Sequence, residues 1–236
     1  MTLVELEGLT CGYQDRVVLA GLDLRLEEGQ RLGLAGHTGS GKTTLLKAIM
    51  GLVTPTGGTV RILGSECRVN GDFTQARRVL GYLFQNSDDQ LFCPTVLEDV
   101  AFGPLNLGAS QQEARSVALE CLSMVGLCGF EERLTHRLSG GEKRLASLAG
   151  VLAMRPKALL LDEPTTGLDP ESKARVAEVL RGLDLALLVV SHEWDFLTQV
   201  TSRYFTLSHG HLHEAAEAPH LHHHVHSLGD FPHSHD

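Results

Sequence analysis

Hydrophobic and polar residues alternate at two places near the start of the chain, Leu3-Val4-Glu5-Leu6-Glu7 and Leu22-Asp23-Leu24-Arg25-Leu26. A period of two over such short runs predicts half-buried antiparallel strands. Arg31-Leu32-Gly33-Leu34-Ala35 reads as a further strand that leads into a glycine-rich loop. Residues 44–50 then have a helical pattern that stops at Gly51, and residues 59–63 and 79–84 read as strands. The middle of the chain changes character. Ser110-Gln111-Gln112-Glu113 is a capping-box pattern that opens a helix to residue 125, and Ser139-Gly140-Gly141-Glu142 repeats that spacing before a helical run to Met154. Residues 88–154 are therefore expected to form a helical lobe. Strand signals return at residues 158–161 and 185–190, with helices between and after. The fold expected is α/β, with a mostly parallel core sheet, an N-terminal antiparallel β lobe and a helical lobe.

Composition narrows the class without changing that picture. A chain of 236 residues has ample length for a buried core. The net charge of -9 argues against a nucleic-acid partner, which favours a basic surface. Five cysteines (Cys11, Cys67, Cys93, Cys121, Cys128) lack C-x-x-C spacing, so buried thiols in a reducing compartment are expected and a disulfide framework is not. No signal peptide is evident, and apolar runs such as residues 185–190 are too short to span a bilayer. Any work at a membrane would need another subunit to place the chain there.

The chemistry concentrates in a few short segments. Gly36-His37-Thr38-Gly39-Ser40-Gly41-Lys42-Thr43, followed by Thr44, fits the phosphate loop G-x-x-x-x-G-K-[ST], with a strand before it and a helix after. Glycines let backbone N–H groups converge on an anion, and the helix presents its positive end to it. Lys42 is expected to reach the β- and γ-phosphates of ATP and the Thr43 hydroxyl to bind Mg²⁺. Leu159-Leu160-Leu161-Asp162-Glu163 delivers two carboxylates to the carboxyl end of an apolar strand. Beside a phosphate loop, Asp162 becomes a Mg²⁺ ligand and Glu163 the group that orients or deprotonates the attacking water. Ser139, Gly140 and Gly141 stand at a helix N-terminus suited to a γ-phosphate, although Ser139 and Glu142 also explain each other as an ordinary cap.

Leu138-Ser139-Gly140-Gly141-Glu142 resembles the signature turn of ATP-binding-cassette (ABC) proteins, usually written LSGGQ, with Glu142 in place of the common glutamine. The whole chain to Leu212 resembles that family of P-loop ATPases. The resemblance makes Gln85 the glutamine that senses Mg²⁺ and touches the membrane partner. It makes Thr166-Gly167-Leu168-Asp169 the D-loop, His192 the histidine that contacts the γ-phosphate, and Tyr13 the ring that stacks on adenine. His37 occupies a variable position of the loop and is given no side-chain role. The family also implies a head-to-tail dimer, expected here as a homodimer. In it, ATP lies between one subunit's Lys42 loop and the other's Ser139 turn.

A narrower resemblance follows Gln85. Phe84-Gln85-Asn86-Ser87-Asp88-Asp89-Gln90-Leu91-Phe92 and 95–104 resemble ATPases of energy-coupling-factor importers of vitamins, cobalt or nickel. In that family this region faces a transmembrane T subunit, which works beside a substrate-binding membrane subunit. From His209 to Asp236 there are ten histidines, four acidic residues and no lysine or arginine, a composition expected to be disordered without a ligand. His209, His211 and His213 alternate, as do His220, His222, His224 and His226, with His223 interposed. Either an extended or a helical backbone brings some of these imidazoles together, so the spacing selects no geometry. Imidazole suits Ni²⁺ and Co²⁺ among other ions, which tips the reading toward a metal-binding tail over 213–236, after an ATPase domain over 1–212. The function expected is a peripheral ATPase at the cytoplasmic face of the cell membrane, energising nickel or cobalt import. The alternatives are a vitamin importer's ATPase and a soluble ABC ATPase unconnected with transport.

Overall fold

The computed structural model describes residues 1–13 and 16–215. Strand β1 (Thr2–Tyr13) pairs antiparallel with β2 (Arg16–Glu27), placing Leu6 opposite Leu24 and Leu9 opposite Leu22. The alternation read in the sequence becomes the buried face of this pair: Leu3, Leu6, Leu9, Leu22, Leu24 and Leu26 all point inward. After β3 (Arg31–Ala35) and α1 (Lys42–Ile49), β4 (Gly57–Ile62) joins β1 antiparallel and β5 (Ser65–Glu66) joins β4. The first sheet thus runs β2-β1-β4-β5. Helix α2 (Asn70–Val79), which the sequence pattern had not announced, leads into β6 (Leu80–Leu83).

Three helices follow: α3 (Val96–Asn106), α4 (Gln111–Met124) and α5 (Gly140–Ala153). Each opens on a reciprocal capping box, Thr95/Glu98, Ser110/Glu113 and Ser139/Glu142, the last two as expected. The chain returns to the core through β7 (Ala158–Asp162), α6 (Pro170–Gly182), β8 (Ala186–Val190), α7 (Trp194–Val200), β9 (Arg203–Ser208) and β10 (His211–Ala215). The second sheet has the order β10-β9-β3-β8-β7-β6, parallel throughout except where β10 pairs with β9.

Both faces of that sheet are covered, which is why β7 and β8 read as unbroken apolar runs. Leu160, Leu188 and Val190 pack toward α1 and the antiparallel sheet. Leu159, Leu161, Leu187 and Val189 pack toward the helical lobe. Parallel strands aim their carboxyl ends the same way, so the ends of β3, β7 and β8 converge on one edge, where open α/β sheets hold ligands.

The structure corrects the reading of the first histidines. His209 and Gly210 are not disordered: both have positive φ, 50° and 81°, and form the two-residue turn between β9 and β10. Positive φ at both central residues is the mark of a primed hairpin turn, and histidine tolerates that region better than most residues. His211 and His213 then lie on a paired strand, opposite Ser208 and Thr206. Arg203 and Glu214 add an ion pair at 2.7 Å between the strands. Among the described residues no group of three or more metal-ligating side chains converges, so His209, His211 and His213 do not form a metal centre in the hairpin. His220, His222, His223, His224 and His226 lie outside the described residues. The cysteines also need one correction. All five are free, and Cys11, Cys67 and Cys121 are buried, but Cys128 is exposed.

Candidate active site

Everything in the phosphate loop depends on backbone shape. Gly39 and Gly41 have φ of 79° and 106°, a region closed to most side chains. A Cβ at Gly41 would also stand 2.8 Å from Val18 Cγ1. Gly41 is the N-cap of α1, and it offers no side chain to the helix's first N–H groups; the first turn carries no acid either. Those amides are therefore left for an anion, and the helix dipole adds to the attraction.

Lys42 is almost fully buried. Its ammonium donates to the carbonyls of Gly36 at 2.7 Å and His37 at 3.2 Å, and stands 3.7 Å from Glu163 Oε1. Held by its own loop, this side chain already stands inside the site that an anion would enter. Thr43 Oγ1 donates to Asp162 Oδ1 at 3.1 Å, joining the start of α1 to the end of β7. Burial pushes the Asp162 carboxyl up from its ordinary range, against hydrogen bonds from Thr43 and Tyr82 that favour its charge.

Glu163 follows Asp162 in a left-handed conformation, with φ of 46°. The kink turns its carboxylate into the cleft, and its own N–H donates to Val190 O at 2.9 Å across to β8. Glu163 Oε2 accepts from Thr166 Oγ1 at 3.2 Å and lies 2.8 Å from His192 Nδ1. His192 sits just past β8, half-exposed over the cleft. A non-glycine residue held at positive φ beside a lysine and a histidine is the kind of strain that collects at functional sites.

One cleft of about 600 Å³ is lined by Tyr13, Thr38, Gly39, Gly41, Lys42, Thr43, Thr44, Gln85, Glu163, Thr166 and His192. The structure thus brings together the phosphate loop, Glu163 past the end of β7, His192 past the end of β8 and the aromatic at the end of β1. Gly36 and Ser40 complete the loop, and His37 faces a smaller adjoining cavity beside Ser208 and His209. Asp162, buried behind the cleft and bonded to the cleft-lining Thr43, gives with it a pair of hard oxygen donors that fits a Mg²⁺ ion, and the bare N-terminus of α1 with Lys42 fits a polyphosphate.

Ser139, Gly141 and Asp169 stand elsewhere. They line a separate cleft that shares no residue with the first. Asp169 caps α6, accepting from Ser172 N at 2.9 Å, and Ser139 N donates to Glu142 Oε2 at 2.7 Å.

Two residues that pattern reading overlooked tie these parts together. Arg144, on α5 and only 4% exposed, donates to the carbonyls of Phe84 and Gln85. It thereby fixes the backbone at Gln85 from the helix that begins at Ser139. Tyr82, on β6, donates to Asp162 Oδ2 at 3.1 Å. Arg144 follows Glu142 and Lys143 in the sequence and reads there as part of a charged, solvated helix start, so it carried no distinguishing signal. Nothing in the sequence distinguished the second from an ordinary strand aromatic.

The family model for ABC transporters matches residues 19–166. An uncharacterized ABC transporter ATP-binding protein of Haemophilus influenzae is 45% identical over 192 residues, covering 81% of this chain and 88% of that one. The energy-coupling factor transporter ATP-binding protein EcfA of Methanosphaera stadtmanae is 41% identical over 201 residues, covering 83% of this chain and 72% of that one. Among solved structures, the ATP-binding cassette MJ0796, dimeric in a post-hydrolysis state with ADP and phosphate, superposes with a TM-score of 0.82 at 30% identity, covering 90% of this chain and 98% of that one. The chain belongs to the ABC transporter family, as one of its ATP-binding, ATP-hydrolysing proteins.

Proposed function

We propose that this protein is the ATPase subunit of an energy-coupling-factor importer, and that the cargo is a transition metal ion, nickel or cobalt. The observation that carries the ATPase assignment is the single cleft holding Tyr13, the Lys42 loop, Gln85, Glu163 and His192. In it Tyr13 stacks on adenine, while the loop amides and Lys42 hold the β- and γ-phosphates. Thr43, Asp162 and Gln85 serve the Mg²⁺ ion, which neutralises charge on the phosphates when bound. Glu163 Oε2 takes or orients the proton of the attacking water, and His192, hydrogen-bonded to that oxygen, contacts the γ-phosphate.

The second cleft, lined by Ser139, Gly141 and Asp169, closes together with Gly140 of the same turn on a nucleotide held by a second ATPase subunit, a homodimer being the simplest pairing. The dimeric state of the similar cassette supports this. Closure then follows from the γ-phosphate binding the closed state better than the open one. A membrane T subunit docks near an apolar groove of about 280 Å³ formed by Phe92, Phe102, Gly103 and Met154 beyond Gln85. Phe92 is 63% exposed, more than a ring without a partner favours. Among the described residues no helix is long and apolar enough to cross a membrane, in keeping with a peripheral subunit held by others.

The name of the EcfA relative specifies no cargo, and a vitamin importer stays the alternative; the seven histidines of 216–236 favour metal. The test is nickel and cobalt uptake by cells expressing this chain with its candidate membrane partners, comparing wild type with Lys42→Ala. Uptake that depends on Lys42 supports metal import and ranks the two ions. An assembled, ATP-hydrolysing complex that takes up neither would move the assignment to a vitamin.

A further inference from the structure

Asp162 is 1% exposed, and both of its carboxylate oxygens are engaged by residues from different elements. Thr43 Oγ1 donates to Oδ1 from the start of α1, and Tyr82 OH donates to Oδ2 from β6, each at 3.1 Å. Strand register explains the reach of the phenol. Tyr82 stands opposite Leu160, two residues before Asp162, so the two side chains share one face of the sheet. The ring is held in place: it lies 4.7 Å from Phe84 between centroids and is 6% exposed. Packing alone would be served by phenylalanine. Among the described residues the hydroxyl donates to one partner, and that partner is the carboxylate proposed to meet Mg²⁺.

We propose that Tyr82 is a positioning residue for Asp162, locking the carboxylate in the orientation that receives the magnesium ion. The role rests on the assignment of Asp162 to Mg²⁺ made above. With Oδ2 held by the phenol, the carboxylate cannot rotate about its Cβ–Cγ bond. The lone pairs of Oδ1 then face the Thr43 hydroxyl, the other ligand of the same ion. Partners of this kind, one bond removed from a metal, set its affinity through the ligand they hold.

The test is equilibrium binding of a fluorescent ATP analogue to the full chain across a Mg²⁺ titration, for wild type, Tyr82→Phe and Asp162→Asn, with a parallel series in EDTA. Tyr82→Phe keeps the ring and its packing. It should raise the Mg²⁺ concentration for half-maximal binding about tenfold or more. Affinity in EDTA should be unchanged, and kcat at saturating Mg²⁺ should stay close to wild type. A wild-type midpoint in Tyr82→Phe beside a shifted one in Asp162→Asn would overturn the positioning role alone. Wild-type midpoints in both would overturn the magnesium assignment and the proposal with it. A loss of affinity in EDTA without a midpoint shift would make Tyr82 a packing residue and overturn the proposal.

Discussion

Two helices of this molecule begin at glycine-rich turns, and they are finished in opposite ways. Helix α1 starts at Gly41 with no side-chain cap and no acid in its first turn. Helix α5 starts at Ser139 with a complete capping box, and Glu142 lays a carboxylate on its N-terminus. A glycine N-cap without a side-chain acceptor costs stability, about a few tenths of a kcal/mol relative to a good cap, unless something else satisfies the helix's amides. The chain accepts that cost at α1, where Lys42 and the Asp162–Thr43 contact surround the same end. At α5 it does not: that end is satisfied within the chain. The first helix is built to hold an anion by itself. The second is stable alone, and an anion presented to it must come from outside and compete with a charge already there.

The contrast can be broken most severely at Glu163. Glu163→Gln should leave ATP binding intact and lower turnover by at least about 100-fold, the usual contribution of a positioned base. Steady-state hydrolysis alongside nucleotide titration checks both halves, and a fully active variant would remove Glu163 from the base role.

Next comes the bare helix end. Gly41→Ala places a Cβ at a φ of 106° and 2.8 Å from Val18 Cγ1. It should lower stability by about 1–3 kcal/mol. ATP affinity should fall with it, since the displaced atoms are those that meet phosphate. The same change at Gly140, whose φ is not positive and which a Cβ would leave uncrowded, should not lower stability comparably. Thermal melting of the two variants compares the helix ends directly.

Arg144 joins the two regions, so its loss should be felt in both. Arg144→Met should leave the Phe84 and Gln85 carbonyls without their donor, at about 1–3 kcal/mol, or roughly 2–12 °C in Tm. ATPase activity should fall because Gln85 loses its anchor. An unchanged Tm would show that solvent replaces the guanidinium.

The smallest effect is expected at Glu142. Glutamine preserves the reciprocal cap but removes the charge facing an incoming phosphate. Glu142→Gln should tighten ATP-dependent dimerisation by about two- to fivefold, the worth of one charge at a helix end. The Ser139 N–H holds the Glu142 carboxyl below its ordinary pKa, so at neutral pH it is fully ionised. Its capping contribution is present above the usual carboxylate range and is lost as pH falls through the lowered folded pKa. The difference between Glu142 and Gln should vanish over that same interval.

The sequence exposed these features unevenly, for physical reasons. Capping boxes at Ser110 and Ser139 are local, so the residues that form them suffice to show them. The alternation in β1 and β2 and the unbroken runs in β7 and β8 report burial on one face and on two. The phosphate loop was legible because its backbone needs glycines at fixed spacing. Helix α2 escaped notice because its polar, glycine-containing start resembles a loop. Strand β10 escaped because His211, His213 and Glu214 are poor strand residues. Its pairing is supplied by β9 across the two-residue turn, and a bond from Ala20 N, distant in sequence, to Gly210 O holds that turn. A truncation that spares ATP binding should therefore remove 216–236. Cutting at Gly210 would take a strand from the core sheet. Tyr82 and Arg144 acquired roles only when folding brought Asp162 and Gln85 to them from afar.

The most direct measurement is the association state of Glu163→Gln by sedimentation, with Mg²⁺ and either ATP or ADP. If ATP lies between one subunit's Lys42 loop and its partner's Ser139 turn, the variant should be dimeric with ATP and monomeric with ADP. A variant that binds ATP tightly yet sediments as a monomer would contradict the account of two complementary helix ends.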